Sequence, residues 1–158
     1  MPGTIHALHG FIGTGKTTLA RRLEAELPAV RFTPDEWMAA LYGTDPPAEV
    51  FAEYLARVRA LLERQWTRCV ELGLDVVLDG GLWSRAERDE LRGKAQALGA
   101  RLFIHDLTVP DEVALARVLR RNEAEPGHLL VTEDTYWLLK ARFEPLAGDE
   151  LAAAAPTA

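Results

Sequence analysis

Residues Gly10-Phe11-Ile12-Gly13-Thr14-Gly15-Lys16-Thr17-Thr18 form a complete G-x-x-x-x-G-K-[ST] phosphate loop, placed directly after the apolar run Ile5-His6-Ala7-Leu8-His9. The glycines free the backbone to curl, so that consecutive N–H groups from Gly13 to Thr17 converge on phosphate oxygens where a helix begins with its positive dipole end. Gly10, Gly13, Thr14, Gly15, Lys16, Thr17 and Thr18 are therefore the expected contacts of a nucleoside triphosphate. Lys16 is expected to reach the β and γ phosphates, and Thr17 to hold Mg²⁺.

The rest of the chain alternates strand and helix signals. Ile5 to Leu8 reads as a buried strand, and Thr17 to Leu27 as a helix stopped by Pro28. Val30 to Thr33 reads as a second strand. After Pro46-Pro47 a long amphipathic helix carries Val50, Phe51, Tyr54, Leu55, Val58, Leu61, Leu62, Trp66 and Cys69 at steps of three and four, closed by Gly73. Asp75 to Asp79 is a near-continuous β-branched and aliphatic strand, Ser84 to Glu87 a capping box for a helix to about Leu98, and Arg101 to Thr108 a fourth strand. A helix from Pro110 to about Asn122 precedes a loop over 123–131 containing Pro126-Gly127, and Thr132 caps a last helix through Arg142. This order predicts an α/β fold with a parallel sheet, helices on both faces and a ligand crevice at the strands' carboxyl ends. Residues 1–150 are expected to form a single domain, with 151–158 a disordered tail.

A net charge of −6 argues against a long nucleic-acid footprint, which needs clustered Lys and Arg. The apolar runs are too short for a membrane span. The first strand follows Met1 within a few residues and Cys69 stands alone, so no signal sequence or internal disulfide is expected and the cytoplasm is the expected location. Cys69 belongs to the apolar stripe of its helix. His6, His9, His105 and His128 show no metal-ligand spacing with one another or with Cys69.

Asp79 ends the third strand, where a carboxylate orients Thr17 and the waters of Mg²⁺. The next residue is Gly80, whereas ATPases that hydrolyse commonly place a water-activating glutamate there, so transfer is favoured over hydrolysis. Asp35, after the second strand, is a candidate base towards a substrate hydroxyl and equally a candidate N-cap for a helix starting at Glu36-Trp37. Arg117, Arg120 and Arg121 are neighbours on one helix beside the Pro-Gly loop, as in a lid that neutralises transition-state charge, with Arg117 and Arg121 the stronger candidates. Arg85 and Arg88 flank the crevice on a capped helix, either as candidates for holding a polar substrate or as exposed structural positions. Trp37, Tyr42 and Trp83 cluster at loop ends opposite the nucleotide, either as an acceptor pocket or as core plugs.

With the loop, Asp35, Asp79 and the 117–121 arginines in this order, the chain resembles the small P-loop kinases that include chloramphenicol phosphotransferase, zeta toxin and the 5′-kinase domain of polynucleotide kinase. The resemblance implies a three-layer α/β/α sandwich around a sheet of four to five strands in the order 2-3-1-4, with a short lid. It implies Mg-ATP bound at Gly13 to Thr18, Asp35 as the base, and Arg117 and Arg121 on phosphates. Where polynucleotide kinases carry an arginine a few residues after the base, this chain has Glu36, Trp37 and Met38. No fifth strand is evident after the lid, which leaves Arg142 and Phe143 as candidate adenine contacts. The leading expectation is an ATP-dependent phosphotransferase acting on a hydroxyl of a small molecule. A nucleotide switch or slow ATPase working through a protein partner, and a kinase of nucleosides or nucleic-acid 5′ ends, are the alternatives. A GTPase is disfavoured because Asn122, the sole asparagine, is followed by Glu123. Neither the acceptor nor the oligomeric state is specified by these patterns.

Overall fold

The computed structural model describes residues 1–124 and 127–151. Pro126, in the loop of the expected lid, and residues 152–158 of the tail expected over 151–158 lie outside the described residues, whereas Leu151 ends a short helix. The elements in chain order are β1 (Ile5–His9), α1 (Lys16–Glu26), β2 (Val30–Phe32), α2 (Pro34–Tyr42), α3 (Ala48–Glu71), β3 (Val76–Gly81), α4 (Arg85–Ala97), β4 (Leu102–Asp106), α5 (Asp111–Ala124), α6 (Glu133–Lys140) and α7 (Gly148–Leu151). The four strands form one parallel sheet in the order β2-β3-β1-β4.

Strand alternation divides the core into two layers. Ile5 and Ala7 of β1, with Val76 and Ile104, face Val58, Leu62, Trp66 and Val70 of α3 and Leu91 and Ala95 of α4. Leu8 and Val77 face the other way, onto Ala20 and Leu23 of α1. Such strands, covered on both faces, read as continuous apolar runs because both sides are dry. Among the described residues no helix is long and apolar enough to cross a membrane.

Local signals account for most helix ends. The Ser84 hydroxyl accepts from the Glu87 N–H while the Glu87 carboxylate accepts from the Ser84 N–H, completing the expected capping box. Thr132 accepts from the Thr135 N–H. One cap differs from expectation: α2 starts at Pro34 with Thr33 in the N-cap position, which puts Asp35 inside the first turn rather than at the cap. Thr33 makes no side-chain cap because its hydroxyl is engaged elsewhere.

The strap from Phe143 to Leu151 was not foreseen. Its Glu144 N–H bonds to the Trp83 carbonyl at 2.7 Å, and Glu150 buries its carboxylate against α4. Arg88, expected either to hold substrate or to stand exposed, is instead 1% exposed. Its guanidinium donates to both Glu150 oxygens (2.7 and 3.0 Å) and to the carbonyls of Leu82, Glu144 and Pro145. Its donors are committed to the fold. The hydrogen bonds from Arg88 above all, then those from the Ala147 N–H and Arg92, hold the Glu150 carboxyl far below the usual carboxylate range. The stabilisation is therefore present above the ordinary glutamate value and is lost as pH falls towards the folded one. Arg88→Ala strands Glu150 and should cost about 3 kcal/mol in urea unfolding at neutral pH, with a shallower loss of stability on acidification; an unchanged midpoint would contradict this role.

Candidate active site

Three glycines shape the phosphate loop for different reasons. A Cβ on Gly10 would stand 2.6 Å from Thr14 Oγ1 and 2.9 Å from the Leu107 carbonyl, and one on Gly13 only 2.5 Å from the Ala114 carbonyl of α5. Gly15 has open space but a φ of +93°, which side chains rarely adopt. The loop feeds straight into α1, whose first turn carries no acidic residue, so the helix end is free to receive an anion. Thr14 Oγ1 and Lys16 Nζ both donate to the Phe11 carbonyl, at 2.8 and 2.6 Å. The loop thus closes on one of its own oxygens, the kind of acceptor a phosphate would supply. Desolvation lowers the Lys16 pKa to about 8, opposed by Asp79 and Asp35 and reinforced by Arg121.

Asp79 is buried on β3, and its Oδ2 accepts from Thr17 Oγ1 at 2.8 Å and from Thr33 Oγ1 at 3.1 Å. With its proton on Asp79, Thr17 keeps its lone pairs for a cation. A hydroxyl backed by the carboxylate it donates to, all oxygen, fits Mg²⁺ beside a triphosphate.

Asp35 opens to solvent at the crevice, yet protein surrounds its carboxyl. Desolvation raises its pKa; the Lys16 charge opposes this, Asp79 reinforces it, and Arg59 and Arg121 pull it down. Lys16, Asp35, Asp79 and Arg121 therefore share one electrostatic site at the carboxyl ends of β1, β2 and β3. Arg117 Nη1 lies 3.5 Å from the Gly13 carbonyl, at the outer limit of a hydrogen bond. Arg121 Nε is enclosed and has no hydrogen-bond partner among the described residues, a donor that an anionic oxygen would satisfy. Arg120 faces solvent.

The three aromatics do not gather into one pocket. Tyr42 stacks on Tyr54 of α3, with ring centroids 4.1 Å apart, at the edge of the main core. Trp83 packs on Phe11 at 5.0 Å, in the separate cluster formed with α5 and α6. Trp37 is 51% exposed and lies two residues from Asp35, hence about 200° around α2 from it. Arg85 is paired with Asp89 and Asp149. Phe143 stacks on His9 at 5.0 Å and helps line a cavity of about 350 Å³ with Asp106, Thr108 and Lys140, whereas Arg142 is exposed.

Three residues of the site escaped the sequence reading: Thr33, Arg31 behind it, and Arg59 of α3, which bonds Glu87 of α4 at 3.3 Å. Thr33 carried one usable signal, a hydroxyl at the carboxyl end of a strand. The arginines carried none, since their partners come from other elements.

A four-stranded parallel sheet in this order, with a phosphate loop between β1 and α1, defines a nucleotide-binding domain of the P-loop kinase-like type. The comparison with known families agrees: residues 5–146 match the profile of an AAA domain, AAA_33, and the chain belongs to that family. Among solved structures, a candidate kinase from Chloroflexus aurantiacus superimposes with a TM-score of 0.74 at 18% identity, over 92% of this chain and 83% of that one. Kti12 of Chaetomium thermophilum in complex with ADP-AlF3 gives 0.70 at 20% identity, over 89% and 80%, and a gluconokinase from Sinorhizobium meliloti 0.62 at 18%, over 94% and 78%. No curated protein matches the sequence.

Bound phosphates would favour the charged form of Lys16, whose pKa burial lowers to about 8, so ATP binding above that pH should take up a proton. ATP affinity should fall by up to about tenfold per pH unit above about 8. Titration calorimetry in buffers of different ionisation enthalpy measures the uptake directly. Lys16→Met should bind weakly and lose both effects; a pH-independent wild-type affinity between 8 and 10 would contradict the assignment.

Proposed function

We propose that this protein is an ATP-dependent phosphotransferase that moves the γ phosphate of Mg-ATP to a hydroxyl of a small molecule. The observation that carries the reading is Asp35: a carboxyl of raised basicity, sharing one crevice with Lys16 of the phosphate loop. The absence of a glutamate after Asp79, where Gly80 stands exposed, supports transfer over hydrolysis.

In this reading Asp35 accepts the proton of the acceptor hydroxyl as its oxygen attacks the γ phosphorus. The new O–P bond forms as the bridging P–O bond to the β phosphate breaks, and ADP leaves. Lys16 and Arg121 offset the charge that spreads over the phosphoryl oxygens. Mg²⁺, held by Thr17 and through Asp79, would neutralise β and γ oxygens. The backbone N–H groups of the loop bind the triphosphate, and Arg117 on α5 lies against the loop from outside. Arg59, the cation acting on Asp35 from α3, belongs to the acceptor side.

A second reading, nucleotide turnover without a small acceptor, fits the same phosphate loop, a fold that Kti12 in complex with ADP-AlF3 also has. Asp35→Asn separates the two. In the first reading it lowers phosphoryl transfer by about 10²–10⁴-fold and leaves the ATP dissociation constant within about twofold of wild type. The measurement is the mass shift of acceptors across antibiotics, nucleosides, sugars and short RNAs. Undiminished turnover in Asp35→Asn, or ATP consumption with no phosphorylated product, would sink the first.

A further inference from the structure

Thr33 sits at the end of β2, 4% exposed, between two charged groups of opposite sign. Arg31 Nη1 donates to its Oγ1 at 2.6 Å. A guanidinium has no acceptor, so the Thr33 proton cannot point back along that bond and goes to Asp79 Oδ2 at 3.1 Å. Thr17 donates to the same oxygen. Two donors from different elements on one oxygen fix the plane of the carboxylate, and the other oxygen is left for the water of a metal.

Arg31 is itself held. Its Nε donates to Glu24 of α1 at 2.8 Å and its Nη1 to Glu36 of α2 at 3.0 Å, while Glu36 also accepts from Arg21 of α1 at 3.2 Å. The polar chain therefore runs from α1 through β2 to β3 and returns to α1 at Thr17. It joins the residue beside the candidate base, Glu36, to the carboxylate behind the metal position.

We propose that Thr33 is a positioning residue for Mg²⁺: held by Arg31, its hydroxyl orients Asp79 so that Thr17 and the metal's waters are presented to the β and γ phosphates. The proposal rests on the reading of this site as a Mg-ATP site, and not on which acceptor it serves. It concerns the metal-dependent part of nucleotide binding, because the loop N–H groups bind phosphates without Thr33.

The test measures ATP affinity by calorimetry in excess Mg²⁺ and in EDTA, for the full chain. In Thr33→Val, nearly equal in size but without the hydroxyl, the strengthening by Mg²⁺ should drop about tenfold while the EDTA affinity stays within about twofold; Thr33→Ser should restore it. Arg31→Gln, nearer the surface, frees the Thr33 hydroxyl to rotate and should reduce the Mg²⁺ effect about threefold, which keeps the test open if Thr33→Val fails to fold. Equal losses with and without Mg²⁺, or no rescue by serine, would assign Thr33 a structural role only and overturn the proposal. A wild-type protein that binds Mg-ATP but phosphorylates nothing, with Thr33→Val still losing the Mg²⁺ effect, would end the transferase reading and leave this one standing.

Discussion

The backbone of Gly13 lies so close to the Ala114 carbonyl that a single methyl group there would stand 2.5 Å from it. This contact decides where α5 can lie, and with it the arginines. Phe11 of the same loop buries itself between Ala114, Val118 and Tyr136, so cradle and helix pack as one body. From that seat Arg117 reaches the loop and Arg121 acts on both Lys16 and Asp35. A loop that must present bare N–H groups has few side chains to anchor it, so its position comes from Phe11 and from the neighbours it packs on. Here α5 supplies both the anchor and the cations.

The electrostatics of the crevice follow from this packing. Lys16 is desolvated and depressed, and Asp35 is desolvated and raised, so each resists its charged form in the empty site even though each favours the other's. In the proposed function a triphosphate would reverse the balance at Lys16, whose charge would then have phosphate oxygens to answer it. The same negative charge would sit unfavourably beside the Asp35 carboxylate and make it a stronger proton acceptor, to the extent that Mg²⁺ left it unshielded. Asp79 is held by two hydroxyls, those of Thr17 and Thr33, which donate to the same carboxylate oxygen.

Features encoded within a few consecutive residues were legible in the sequence. The phosphate loop, the capping box at Ser84, the glycine closing α3 and the apolar strands each declare themselves locally, and the four strands fall in the order the resemblance implies. What failed depended on where distant segments meet. Arg88 and Arg85 look alike on the surface of a capped helix until Glu150, 62 residues from Arg88, buries one of them. Trp37, Tyr42 and Trp83 share a sequence context of loop ends, yet α3 claims Tyr42 and the α5–α6 cluster claims Trp83. Thr33 resembled any residue ending a strand, and its value comes from Asp79 and Arg31 on either side. Asp35 suits both base and cap in sequence, and backbone geometry gives the cap position to Thr33.

The strap after α6 lies where the resemblance allowed a fifth strand, and it holds by different physics. A strand would add to β4, the edge of this sheet, through a ladder of backbone bonds. The strap instead hangs on individual polar contacts, with the Glu144 N–H on Trp83, the Glu144 carbonyl on Arg88 and the Glu150 carboxylate on Arg88 and Arg92. A buried ion pair of this kind contributes modest net stability but tolerates few alternative arrangements, because either charge left alone is costly. Its effect reaches the site through packing: the strap brings Phe143 onto His9 and Phe11, and Trp83 closes the other side of Phe11. Arg88 thus ties α4 to the strap that follows Phe143, and its donors go to the fold and not to the crevice.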